Sequence, residues 1–198
     1  MTRTGGGTAA RPGRTLVLEG VGPVRFEKSR RARSVRITVR ASQGVRVAIP
    51  TRVSFAEARR VTLSLSGWIR RTLAQIERAR GRCRDAVRAS ECLDRRNARA
   101  SLSGRLAELA AEHGFVYKRL SVRTQGTLWG SASPNGRIQL NTRLAALPRD
   151  LADYVILHEL VHTRYRGHGK GFWRELERLL PDARERQVRL REYSLALF

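Results

Sequence analysis

The first fifty residues alternate short β-branched runs with glycine-rich or polar turns. Runs of this length, bounded by turn residues, are typical of β-strands. Four strands are expected, at 15–19, 24–27, 34–40 and 45–49. The pattern predicts an antiparallel sheet at the start of the chain.

Helical signals begin at residue 54. Ser54 is a favourable N-cap, and Glu57 three residues later completes a capping box for a helix that reaches about residue 78. A second helix is expected at 103–113, because Gly114 follows it and glycine ends many helices. The middle of the chain is therefore predicted to be helical.

The last part of the chain returns to strands and then to helices. Strands are expected at 116–122 and 137–141, and the stretch 151–165 contains no glycine or proline and is predicted to be a mostly buried helix. Two more helices are expected at 172–180 and 183–195. Sheets packed beside helices in this order indicate an α+β fold.

Length and composition limit the number of domains. With 198 residues and 41% hydrophobic content, the chain can bury a substantial core, and one composite domain is expected. Its parts are a disordered tail at 1–13, a basic strand and helix region at 14–100, and the remainder at 101–198. No signal peptide or membrane-length apolar segment is apparent, so a cytoplasmic location without membrane contact is expected.

The charge of the chain is strongly positive and uneven. The net charge is +23, and residues 1–100 hold 24 basic and 7 acidic side chains. Such a field attracts nucleic acid without sequence preference, here through Arg30, Arg31, Arg33 and Arg36. The excess is also consistent with a compositional habit, because arginine greatly outnumbers lysine. The sequence leaves both interpretations open.

The most informative motif is the pentad His-Glu-Leu-Val-His at 158–162. Positions four apart lie on one face of a helix, about 6 Å apart along its axis, so His158 and His162 can bind one metal ion. Glu159 lies beside the first ligand, where its carboxylate can accept a proton from a metal-activated water. This arrangement is typical of zinc hydrolases.

A third histidine follows at position 168. On a continuous helix His168 would point about 240° away from His162, so the helix must end first. Gly167 is expected to end it in the left-handed conformation and return His168 to the metal. Glu175 and Glu177 remain alternative third ligands. A catalytic zinc ion takes three protein ligands and keeps its fourth position open.

Two functions of different classes fit these features. The first is a zinc-dependent metallopeptidase that hydrolyses peptide bonds in a peptide or protein substrate through a metal-activated water. The alternative is a nucleic-acid-binding protein with a structural zinc ion and no hydrolytic activity. A structural zinc site usually needs a fourth protein ligand, which the sequence does not place clearly.

Several stretches follow one another in the order and spacing of a known family: 31–37, 66–69, 129–131, 138–144, 153–155, 158–162, His168 and 172–173. They resemble the YgjP-like metallopeptidase family, relatives of the SprT zinc proteases. The resemblance implies a zincin-like domain with His158, His162 and His168 as zinc ligands and Glu159 as the general base. It departs from the family at Leu128 and Ala132, where a basic residue and a cysteine are usual.

The same resemblance extends to the substrate. Trp129, Asn141 and Tyr154 lie in the matching stretches and are expected to contact it. In zincins an edge strand beside the metal-binding helix pairs with extended peptide, and the expected strand 137–141 is the candidate here. The resemblance thus implies that 101–198 is a zincin-like catalytic region, and the strand pattern described above adds an N-terminal antiparallel sheet packed with helices.

Overall fold

The computed structural model describes residues 13–198, so the expected tail lies outside the described residues except for Gly13. The chain is α+β and divides into two compact units, the first ending at Glu77 and the second spanning Arg78–Phe198. The second unit begins before the boundary expected near residue 100, and Ala79, Cys83 and Val87 belong to its core.

The first unit contains all four strands expected from the sequence. They are β1 (Arg14–Leu18), β2 (Gly22–Ser29), β3 (Arg36–Arg40) and β4 (Gly44–Pro50), in the spatial order β1-β2-β4-β3. The pairs β1/β2 and β3/β4 are antiparallel, as predicted, whereas β2 and β4 are parallel. The sheet is mixed because β4 folds back between β2 and β3 and so runs in the direction of β2.

Helices cover this sheet. The side chain of Ser54 accepts a hydrogen bond from the Glu57 N–H at 3.1 Å, which confirms the predicted N-cap of α1 (Phe55–Ser64). The single long helix predicted here is interrupted at Leu65, and α2 (Ser66–Arg82) follows. Ala58 and Ile69 are fully buried against strand residues such as Phe26.

The second unit holds the remaining elements, which are α3 (Arg84–Glu91), α4 (Arg95–Glu112), β5 (Arg119–Arg123), β6 (Gly130–Ala132), β7 (Arg137–Asn141), a 3-10 turn (Thr142–Ala146), α5 (Arg149–Val161), α6 (Lys170–Leu179) and α7 (Ala183–Leu197). Helix α3 and the start of α4 were not expected, because their sequence is arginine-rich and only a few residues, such as Val87 and Ala98, are buried. None of the helices within 13–198 combines the length and apolar character needed to cross a membrane.

Helix α5 is the centre of the second unit. It packs against α4, α6 and α7 and against strands β6 and β7. Eight of its thirteen residues are buried, which confirms the mostly buried helix predicted from the sequence. Because neighbours surround α5 on several sides, the residues of its last turn are held in fixed positions.

The sheet beside α5 has the order β5-β7-β6. Strand β7 has the predicted bounds, but it pairs with β5 on one side and β6 on the other, so it is the central strand. The expectation that β7 is a peptide-binding edge is therefore wrong. The edge strand that packs against α5 is β6, a three-residue strand too short for the alternation of apolar and polar residues to reveal.

Candidate metal centre

Three histidine rings meet at the end of α5. The Nε2 atom of His162 lies 3.2 Å from that of His158 and 3.2 Å from that of His168, and the third side of the triangle is 3.1 Å. His158 lies in the last turn of α5, His162 caps that helix, and His168 lies in the loop before α6. The structure therefore brings together the three imidazoles that the sequence selected.

The loop after α5 returns His168 by a route that differs from the expectation. The helix ends at Val161, where the side chain of Thr163 donates to the carbonyl of Leu160 at 2.6 Å and the Tyr165 N–H donates to the carbonyl of Val161 at 2.9 Å. Gly167 is not in the left-handed region, so it does not end the helix as predicted. The turn closes before that glycine is reached.

The three nitrogens fit a metal ion. Each neutral imidazole nitrogen carries either a proton or a lone pair, and hydrogen bonds along all three sides of so small a triangle cannot be linear. Tetrahedral ligands about 2.0–2.1 Å from zinc are about 3.3–3.4 Å apart. The observed separations of 3.1–3.2 Å agree with this value. His158, His162 and His168 also form the one three-residue group within 13–198 that could hold a metal.

Surrounding groups orient the imidazoles and keep them neutral, as metal binding requires. The Nδ1 atom of His162 lies 2.9 Å from the carbonyl oxygen of Tyr165, so Nδ1 donates and the Nε2 lone pair faces the other rings. Burial, together with the two neighbouring histidines, lowers the pKa of His158 to about 3, and burial lowers the pKa of His168. Both rings are therefore neutral at physiological pH, as metal ligands must be.

The alternative third ligands are occupied elsewhere. Glu175 forms ion pairs with Arg164 at 3.2 Å and Arg178 at 3.1 Å, and Glu177 pairs with Arg184 at 2.8 Å. Neither carboxylate belongs to the group of side chains that could share a metal. The geometry therefore favours His168 over both glutamates as the third ligand.

The ring of Phe172 packs against all three histidine rings. Its ring centroid lies 4.9 Å from that of His158, 4.5 Å from that of His162 and 4.7 Å from that of His168, and only 1% of the residue is exposed. Trp173 contacts Phe172 edge to face with a centroid distance of 5.5 Å. The two aromatic residues therefore pack the centre.

Glu159 is a buried carboxylate beside the histidines. It is 6% exposed and forms no hydrogen bond or ion pair with any residue of the described part of the chain. Burial raises its pKa to about 8. A buried carboxylate without a protein partner costs stability, and such groups are concentrated at functional sites.

Gly130 makes room for this carboxylate. A Cβ atom at position 130 would lie 2.8 Å from both Cγ and Oε1 of Glu159, closer than non-bonded atoms approach. Any other residue would therefore displace the Glu159 side chain or β6. The sequence motif contained this glycine, but its role depends on a contact between residues 29 positions apart.

A cavity of about 280 Å³ opens beside Glu159. Trp129 and Tyr154 form part of its wall, as do Gln187, Arg191 and Ser194 of α7. The indole N–H of Trp129 donates to the Ser194 hydroxyl at 2.7 Å. These three α7 residues were not expected from the sequence, although their spacing of four and three places them on one helix face.

Asn141 does not reach this cavity. Its side chain is fully buried, and its amide nitrogen donates to the carbonyls of Gln125 at 3.0 Å and Leu128 at 2.7 Å. Its amide oxygen accepts from the Arg143 N–H at 3.1 Å. The expected substrate contact of Asn141 is therefore wrong, since this residue holds the loop that leads into Trp129.

The basic residues of the first unit are only partly grouped as expected. Arg31 and Arg36 line a concavity of about 250 Å³ together with Arg40 and Arg46, and its lining contains no acidic residue. Arg30 and Arg33 do not line it. The four arginines that share this surface are called the β3/β4 basic surface.

Comparison with known proteins adds a family match to this geometry. The sequence model of the YgjP-like metallopeptidase domain matches residues 80–193. No curated protein matches the chain. Two solved metallopeptidase zymogens are similar: Pyrococcus abyssi abylysin (24% identity, TM-score 0.41) covers 45% of this chain and 90% of its own. Methanocaldococcus jannaschii jannalysin (19% identity, TM-score 0.42) covers 46% of this chain and 95% of its own.

Proposed function

The chain belongs to the YgjP-like metallopeptidase domain family, and on that basis we propose that it is a zinc-dependent peptidase that hydrolyses peptide bonds in peptides or proteins. The observation that carries the proposal is a triangle of three imidazole nitrogens 3.1–3.2 Å apart beside the buried carboxylate of Glu159. Membership in the family implies a divalent metal ion. Imidazole ligands at this spacing favour zinc.

His158, His162 and His168 would hold the ion. When bound, zinc acts as a Lewis acid that lowers the pKa of water and polarises a carbonyl group. The described residues offer no fourth protein ligand at this centre. Three protein ligands are typical of catalytic zinc sites, whereas structural sites usually have four. This difference favours the peptidase over a nucleic-acid-binding protein with a structural zinc ion.

Glu159 is the proposed general base. Its side chain lines the cavity beside His158, and a metal ion bound there would favour the ionised carboxylate that accepts a proton. It accepts the proton of the attacking water and later delivers it to the amine that leaves. Gly130 keeps space beside the carboxylate, so the side chain can face the cavity.

Tyr154 and Arg191 are the proposed donors to the oxyanion. Both line the cavity beside Glu159. Burial raises the pKa of Tyr154 to about 12, so its hydroxyl stays protonated and can donate a hydrogen bond. Donors fixed in a water-poor site stabilise developing negative charge more than donors in solution do.

Strand β6 is the proposed docking edge for the peptide. The Trp129 carbonyl accepts from the Asn141 N–H at 2.8 Å, and the Ser133 N–H donates to the Arg137 carbonyl at 2.9 Å. Residues of an antiparallel strand alternate between bonding to the partner and pointing away from it. The backbone groups of Gly130 and Ala132 therefore face outward, where an extended peptide can pair with them beside Glu159.

Peptide hydrolysis by the zinc-loaded protein tests this function. The protein is expected to cleave members of a mixed peptide library, to lose this activity in a zinc chelator and to regain it when zinc is restored. Mass spectrometry of the products measures the cleavage, and far-UV circular dichroism confirms that the chelated protein stays folded. Cleavage that persists in chelator would contradict the metal-dependent mechanism.

A second proposal concerns the β3/β4 basic surface, which we infer contacts nucleic acid without sequence preference. Arg31, Arg36 and Arg40 support it, since they share one concavity, whereas the fourth arginine there, Arg46, is paired with Glu27 at 2.7 Å. Binding of a fluorescent oligonucleotide should weaken as salt increases, and Arg36→Glu with Arg40→Glu should flatten that dependence. Arg59→Glu, an exposed change on α1, is the matched control. Absence of binding at low salt would remove the proposal.

A further inference from the structure

One face of the small sheet β5-β7-β6 is polar and exposed. The other face packs into the core through residues such as Val122, Ile138 and Leu140. Side chains alternate between the two faces of a strand. The polar face, called the outer face of the second sheet, consists of Arg119, Ser121, Arg123, Ser131, Ser133, Arg137 and Gln139. These residues line a concavity of about 440 Å³ whose lining contains no acidic residue.

Two arginines on this face are direct neighbours. Arg119 of β5 and Arg137 of β7 are Cα partners in the register of the two strands. Both are exposed, and their side chains form no ion pair or hydrogen bond with any residue in the part of the chain that the structure describes. β5 and β7 are parallel, and like charges on neighbouring strands repel each other. An anion bound between the two guanidinium groups would remove this repulsion.

The position of this arginine pair relative to β6 indicates which molecule supplies the anion. The Ser133 N–H donates to the carbonyl of Arg137, so Ser133, Arg137 and Arg119 lie in one row across the sheet. A peptide paired with the outward edge of β6 would add a further strand at the end of that row. Neighbouring strands are about 4.8 Å apart, and the small side chain of Ser133 lets Arg137 lean over it towards the added strand.

We propose that the outer face of the second sheet selects acidic side chains in an extended peptide substrate. The inference rests on the proposed peptidase function, because it uses β6 as the docking edge. The side chain of every second residue of the bound peptide lies on the same face of the sheet as Arg137. A glutamate or aspartate there forms a charge-assisted pair with the guanidinium group, while Ser131, Ser133 and Gln139 supply neutral hydrogen-bond partners.

Peptide carboxylates fit this face better than nucleic acid does. Nucleic acid binding needs phosphate contacts alone and no particular position relative to β6. The basic pair of this face lies in line with the edge at which a polypeptide backbone would be held.

Binding of fluorescein-labelled peptides to the zinc-loaded Glu159→Gln protein tests the proposal, because binding is then measured without turnover. One peptide alternates alanine with glutamate, and its matched partner alternates alanine with glutamine. The glutamate peptide is expected to bind more tightly. Arg137→Glu should reduce that preference by about fivefold, the order of one exposed ion pair, and Arg119→Glu should act in the same direction.

Arg84→Glu is the matched control, since it makes the same charge change at an exposed site of the same unit, remote in sequence from the small sheet. It should leave the preference intact. Equal binding of the two peptides, or equal losses in Arg84→Glu and Arg137→Glu, would overturn the proposal. So would an oligonucleotide that binds more tightly than the glutamate peptide and depends on Arg137. Intact acidic preference without hydrolysis by the wild-type protein would contradict only the proposed function.

Discussion

Glu159→Gln should lower peptide hydrolysis by about a thousandfold while zinc content remains unchanged. Glutamine has nearly the same shape as glutamate, so the space left by Gly130 is filled as before. It cannot accept the proton of the attacking water. Since Glu159 is buried and has no protein partner among the described residues, its neutralisation should not lower the thermal unfolding temperature.

Three measurements separate this expectation from a structural effect: the turnover number, the zinc content and the melting temperature of the same preparation. Glu185→Gln is the matched control, because Glu185 is an exposed glutamate of the same unit and lies on α7. It should retain full activity. Normal turnover by Glu159→Gln would show that another group accepts the proton and that the proposed mechanism is wrong.

Replacement of any one of the three histidines by alanine should lower zinc affinity by about a hundredfold or more. Loss of a group that only orients a ligand costs 10- to 100-fold, so loss of a ligand is expected to cost at least as much. His158 and His162 are held by the buried helix α5, whereas His168 is exposed in a loop. Metal content by mass spectrometry and competition with a chromogenic chelator measure the loss.

His113→Ala provides the control, since His113 caps α4 and does not belong to the metal-binding group. It should bind zinc as the wild-type protein does. Full zinc retention by His168→Ala would exclude this residue as the third ligand. Glu175 would then have to leave Arg164 and Arg178, and a Glu175→Gln change in the same background would reveal it.

The sequence predicted that the three histidines meet, because the main geometry of this cluster is local. Positions 158 and 162 must share a helix face once the segment is helical, and Glu159 must lie beside them. The sequence also predicted that the chain brings His168 back to His158 and His162. It did not predict what ends α5 before His168. Glycine commonly ends helices, so Gly167 was expected to do so. The helix instead ends earlier, where the Thr163 side chain donates to the Leu160 carbonyl and the Tyr165 N–H donates to the Val161 carbonyl.

Features that depend on distant pairing were harder to predict. Strand β7 has the predicted bounds, but its central place depends on β6, which is three residues long and leaves little periodic pattern. The same limit explains Asn141, whose hydrogen bonds hold a loop 13–16 residues away. It also explains the α7 side of the cavity, where Ser194 meets Trp129 across 65 positions.

The brevity of β6 has a consequence for how the protein behaves at high concentration. Long exposed strand edges act as templates on which other copies of a chain aggregate. Strand β6 presents outward backbone groups only at Gly130 and Ala132, too few to hold a second copy of the sheet. In the proposed peptidase, such an edge would hold a peptide briefly and release the two shorter products after cleavage. The same three residues would thus limit self-association and permit rapid product release.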